Sequence, residues 1–182
     1  MKSKLTAALM VATFVLLASS LVYLYSEQQK VEHGMKMKVE GLVGTSLFRI
    51  WSGYDSMLDQ DSAELEIEQV NDMVVKLAVV EAYSEIVDRA VNTLLLIPIS
   101  IDMKAMIGSM QDSYEANGGF TEQDRSKFET LQKAITELIP LIHQVYYVPE
   151  SVEGAEVTLQ VNNTEELRAF MNKLNAIVAG NH

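Results

Sequence analysis

VNDMVVKLAVVEAYSEIVDRAVNTL, Val70–Leu94, decides the fold class. Val70, Met73, Val74, Leu77, Val80, Val87, Val91 and Leu94 recur at steps of three and four, and Ile86 and Ala90 widen the stripe. That is the period of an amphipathic helix. Asp61 with Glu64 three residues later has the form of a capping pair and sets the expected start. Pro98 disfavours helical geometry in the residue before it, so the helix is expected to stop at Ile97.

Towards the C-terminus the same period continues. Ser100 is read as the cap of a third segment carrying Met103, Met106, Ile107, Met110 and Tyr114, and Asn117-Gly118-Gly119 end it by supplying left-handed conformations. Thr121 with Asp124 opens the next helix. Phe128, Leu131, Ile135, Leu138, Ile142 and Val145 keep one face straight through Pro140, which predicts one helix kinked there rather than two. Val157, Leu159 and Val161 then alternate with Thr158 and Gln160, the pattern of a short strand, with Val145–Val148 as its hairpin partner. Asn163 and Glu166 cap a last helix of Leu167, Phe170, Met171, Leu174, Ile177 and Val178, stopped by Gly180.

Towards the N-terminus, Val39, Leu42 or Val43, Leu47, Ile50 or Trp51, Tyr54 and Leu58 form a further stripe, weakened by Gly34, Gly41, Gly44 and Gly53. Those glycines either admit a close neighbour or break the helix. Before them stands LTAALMVATFVLLASSLVYLY, Leu5–Tyr25, an uncharged run that as a helix reaches about 30 Å, one bilayer core. Lys2 and Lys4 hold the N-terminus in the cytoplasm and send the remainder across. The alternative is a secretory signal cleaved near the small residues Ala18 and Ser20; against it, the run continues to Tyr23 and Tyr25, where an anchor carries its aromatic belt.

The expected fold is therefore mainly α: an N-terminal transmembrane helix plus an extracytoplasmic four- or five-helix bundle, with at most one small β-hairpin. Residues 1–4 are read as a cytoplasmic N-terminus, 5–25 as anchor or signal peptide, 26–60 as a juxtamembrane helical stalk and 61–182 as an acidic bundle.

Charge and composition narrow the chemistry. Among 182 residues, 14 are Lys or Arg and 25 Asp or Glu, a net charge of −11, and there is no cysteine. Thiolate nucleophiles, thiolate metal sites and disulfides are excluded, and the acidity gives no footprint for nucleic acid. Residues 61–182 carry 8 basic and 20 acidic side chains. Asp72/Lys76, Glu85/Arg89, Arg125/Glu129 and Lys133/Glu137 are four-residue pairs of the kind that dress exposed faces.

No catalytic grouping assembles around the three histidines, His33, His143 and His182, and no HExxH or phosphate-binding loop is present. Arg49, Trp51 and Tyr54 lie within two turns and form a candidate grip for an anionic or planar ligand. Arg89, expected to be partly buried in the most apolar stretch, and His143, just after Pro140, complete the weak binding candidates. His33, Met35 and Met37 with Met103, Met106 and Met110 make a soft-donor set suited to Cu(I), against which stands ordinary core filling by methionine. The expectation is a non-enzymatic protein with no cofactor, anchored through Leu5–Tyr25 and acting as an accessory or interaction subunit of an envelope complex, or pairing as a homo-oligomer. The alternative is a secreted or anchored helical bundle that binds a small anion, haem or Cu(I).

Overall fold

The computed structural model describes residues 2–58, 65–146 and 161–180, apart from the side chains of 2–19, 21 and 22. It is mainly α, with five helices and no strand among the described residues: α1 Lys2–Leu58, α2 Ile67–Val91, α3 Leu96–Asn117, α4 Glu122–Tyr146 and α5 Glu165–Gly180. Two compact units divide the chain at Gly41 and Leu42.

The first unit, Met1–Gly41, is part of α1. From Ser26 its surface is held by local pairs: Lys30 with Glu27 at 3.1 Å, Lys36 with Glu40 at 3.8 Å, and the Gln29 amide donating to the Tyr25 hydroxyl at 3.0 Å. Such pairs stabilise a helix by only a few tenths of a kcal/mol each. Leu24, Val31, Met35, Met37 and Val39 are all exposed. Among the described residues no helix is long and apolar enough to cross a membrane; most side chains of Leu5–Tyr25 lie outside that description.

In the second unit, Leu42–His182, the last turns of α1 bury Val43, Leu47, Ile50, Tyr54 and Met57. The choice left open in the sequence falls on Val43 and Ile50, since Leu42 is exposed and Trp51 half-buried, and Met57 rather than Leu58 completes the stripe. None of the four glycines breaks the helix. A Cβ on Gly53 would stand 2.6 Å from Val80 Cγ2, whereas nothing lies within 4 Å of one on Gly44. Gly53 is thus where α2 comes close, and the Lys76 ammonium bonds the Ser56 carbonyl at 3.0 Å one turn on. Gly53→Ala should lose about 1–2 kcal/mol of stability, overpacking a stiff buried valine and outweighing its helix propensity, while Gly44→Ala gains about 0.5–1 kcal/mol. Urea denaturation of the two variants checks the opposite signs.

The α2–α3 corner corrects two expectations. α2 ends at Val91 with Asn92 in the left-handed region, φ 55°, not at Ile97. Leu94 is exposed in the connection and belongs to no stripe. Pro98 sits in the first turn of α3, where its missing N–H has no intrahelical acceptor to lose. Ser100 is not a cap: it is buried inside α3 and its hydroxyl donates to the Ile97 carbonyl at 2.8 Å. The start of α2 differs too. The Glu66 N–H donates to Gln69 Oε1 at 3.0 Å, a capping arrangement five residues downstream of the Asp61/Glu64 pair, which lies outside the described residues.

α3 lies against α2, α4 and α5. Its buried face is Leu96, Ile99, Met103, Met106, Ile107 and Met110. Contacts between Gln111 and Asn71 at 2.6 Å and between Lys104 and Glu81 at 2.8 Å show that it runs antiparallel to α2. Gly118, φ 72°, closes α3 as expected, and Thr121 with Asp124 opens α4. α4 continues unbroken through Pro140. Asn163 Oδ1 accepts from the Glu165 N–H at 3.1 Å at the start of α5, whose Leu167, Phe170 and Leu174 are buried. The expected hairpin falls mostly on residues 147–160, outside the described residues. At its two ends Val145 is helical and Val161 irregular, joined by one backbone bond from the Asn162 N–H to the Val145 carbonyl at 2.7 Å.

Candidate functional site

Trp51 and His143 are brought together, ring centroids 6.2 Å apart and edge-on at 70°, and the Phe48 ring lies 5.8 Å from Trp51. Arg49 is exposed, and Tyr54 is buried in the core, where desolvation holds its phenol above the ordinary range. The structure therefore pairs two of the candidate binding residues across α1 and α4 and assigns Tyr54 to packing. Arg89 is not partly buried: its side chain is 79% exposed and pairs with Glu85 one turn back.

The buried charge of that stretch is its neighbour. Asp88 is 1% exposed, and its Oδ2 accepts the backbone N–H groups of Leu95, Leu96 and Ile97 at 3.1, 3.0 and 2.9 Å. The Thr93 hydroxyl donates to Oδ1 at 2.8 Å. One carboxylate at the end of α2 thus satisfies the free donors at the start of α3, where the helix dipole favours an anion. The Tyr146 phenol lies beside it; burial, ahead of the Asp88 charge, pushes its pKa up to about 12, with Thr93 acting the other way. Asp88 stands out in the sequence only as Arg89's neighbour in the apolar stretch; its capping role was not legible there, because three of its four partners are backbone groups seven to nine residues ahead.

The soft-donor set divides. Met103, Met106 and Met110 are core residues, buried on one face of α3, while His33, Met35 and Met37 are exposed in the first unit. Among the described residues no three His, Asp or Glu side chains gather as metal ligands would.

Two surface features remain. Between α4 and α5 a groove of about 200 Å³ has Ala134, Phe170, Leu174 and Ile177 as its floor and Thr130, Lys133, Glu137 and Lys173 at its rim. Glu137 turns across it to Lys173, at 2.8 Å, so the expected pairing with Lys133 is replaced by one between helices. The other feature is the outward side of α2. Val75 is 64% and Val79 47% exposed, Ala78 and Ala82 are exposed, and Ile86 is half-buried. At 100° per residue these five fall within about 100° of arc. Opposite them, Val70, Met73, Leu77, Val80, Ser84 and Val87 face the core. Among the described residues, α2 is apolar on both sides and has a packed neighbour on only one, the pattern of a helix that buries a second face.

Compared with known protein families, with curated proteins and with solved structures, the chain matches none.

Proposed function

We propose that this chain is a membrane-anchored, extracytoplasmic helical protein that acts non-enzymatically, as an interaction subunit of an envelope complex. The observation that carries the reading is the uncovered apolar face of α2, because monomeric soluble surfaces rarely leave such a stripe contiguous. The uncharged run Leu5–Tyr25, preceded by Lys2 and Lys4, supports the anchor and its orientation. The acidity of residues 61–182 supports it further, since a negative domain is repelled by anionic headgroups.

Membranes stripped with alkali should retain the chain at full mass. Val79→Glu, an exposed position whose change leaves the core untouched, should lose the partners that co-purify with it. A mass shortened by about twenty residues in the soluble fraction, which is the length of a signal peptide, would overturn the anchor. Undiminished co-purification of the variant would overturn the docking face.

A further inference from the structure

We infer that α1 carries a processing site for an endopeptidase that takes lysine, at Lys36 and Lys38, and that cutting there separates the bundle from the N-terminal run. The placement of the basic residues carries it. All 14 Lys and Arg lie inside α1 to α5, so the connections 59–66, 92–95, 118–121 and 147–164 give such an enzyme no bond to cut. A protease holds its substrate extended, and inside a helix a cut waits on local opening of the backbone. Attack therefore falls on the basic residue whose stretch of helix opens most easily.

In the bundle, opening disturbs the core. Every basic residue from Arg49 to Lys173 has a buried neighbour in sequence, as Arg49 has Ile50, Arg89 has Asp88 and Lys127 has Phe128. Residues 31–42 differ, because none of them is buried. Lys36 and Lys38 are exposed there, and the Lys36 ion pair is with Glu40, one turn along the same helix, at 3.8 Å. Gly34 precedes the two lysines, and Gly41 and Gly44 follow them. A Cβ at any of the three would meet nothing within 4 Å, so packing does not call for glycine, and each weakens the helix relative to alanine. Lys30 stands before the first of these glycines and is paired with Glu27 at 3.1 Å.

Hydrolysis after Lys38 adds one water across the Lys38–Val39 amide, leaving a carboxylate on Lys38 and an ammonium on Val39, with no other reactant. Among the described residues the buried side chains begin at Val43, so a fragment starting at Val39 keeps the whole of that core. Trypsin at low ratio to the full chain in detergent, followed by intact mass, tests the site. The first cut beyond Lys4 should leave fragments that begin at Met37 or Val39, end at His182 and persist. Lys36→Gln combined with Lys38→Gln should prevent that cut over the same interval. Gly34→Ala, Gly41→Ala and Gly44→Ala together keep both lysines and should slow it at least about tenfold.

A first cut beyond Lys4 that falls after Lys30, Arg49 or any basic residue of the bundle overturns the site, as does an unchanged rate in the alanine variant. Release from a membrane rests on the anchor reading above, and the same digestion on alkali-stripped membranes separates the two. Fragments 37–182 or 39–182 should pass to the supernatant. Fragments that form but stay in the pellet overturn release. If they form in detergent while the uncut chain is already soluble without it, the anchor falls and the site stands.

Discussion

Replacing Asp88 with Ala should remove about 3–5 kcal/mol from the stability of the bundle, the largest loss expected from any single polar side chain here. Three backbone N–H groups and the Thr93 hydroxyl converge on that carboxylate. Leu95 and Leu96 are themselves fully buried, so water cannot take its place. An unsatisfied buried donor costs about 1–3 kcal/mol, and a helix that loses its cap about 1 kcal/mol. Because the donors share one acceptor and relax together, the sum is smaller than three separate penalties. Asp88→Asn keeps a carbonyl oxygen in the same place and should recover at least half of the loss. Urea midpoints for the two variants decide the matter: equal destabilisation by Ala and Asn would mean that the charge, not the hydrogen-bond acceptor, holds the corner.

The second effect is an acid-sensitive one at the start of α4. Asp124, 1% exposed, accepts from the Thr121 N–H at 2.9 Å, the Thr121 hydroxyl at 2.6 Å and the Ser113 hydroxyl at 2.7 Å. Burial by itself raises its pKa, but those hydrogen bonds, with the Lys127 charge, outweigh it, and the carboxyl titrates below its ordinary value. A depressed folded-state pKa contributes stability that is complete above the unfolded value of about 3.9 and is lost as pH falls through the folded one. Asp124→Ala should cost about 2 kcal/mol near neutral pH, since it opens the cap and unties α4 from Ser113 on α3.

Asp124→Asn isolates the charge: its deficit relative to the native chain should shrink as pH drops from about 6 towards 2. A deficit that stays constant over that range would rule out the ionised carboxylate as the source. Asp102 must be kept out of the comparison, because burial raises its pKa, with the Asn175 amide pulling it back. Its contribution therefore runs the other way, present below the unfolded value and lost as pH rises through the folded one. Measuring each variant against the native chain at the same pH cancels it.

The helical class, the cap at Thr121 and Asp124, the passage of α4 through Pro140 and the core stripe of α5 were legible in the sequence, because each is written in residues within one or two turns of each other. The corner after α2 was not. Pro98 is compatible with both a helix end and a first helical turn, and the feature that decides between them, Asp88 reaching forward to three backbone groups, is a tertiary contact without a side-chain signature. The second face of α2 was hidden for a different reason. In VVKLAVV, Val74–Val80, almost every position is apolar, so periodicity alone cannot say which valines look inward. Met73, Leu77 and Val80 do, while Val75 and Val79 do not. Among the site residues, the meeting of Trp51 with His143 required two helices to be placed side by side, which spacing along one chain does not encode.

The backbone bond from Asn162 to Val145 has a consequence best put in polymer terms. It holds Val145, in the last turn of α4, to Asn162, on the approach to α5, at 2.7 Å, so these two points of the chain are tied together whatever joins them. The entropy of closing such a chain grows only with the logarithm of its length, about 0.6 kcal/mol for each doubling. A change in the length of chain between the two tied residues therefore costs little in closure entropy, and the approach of α5 to α4 is set at the tie itself.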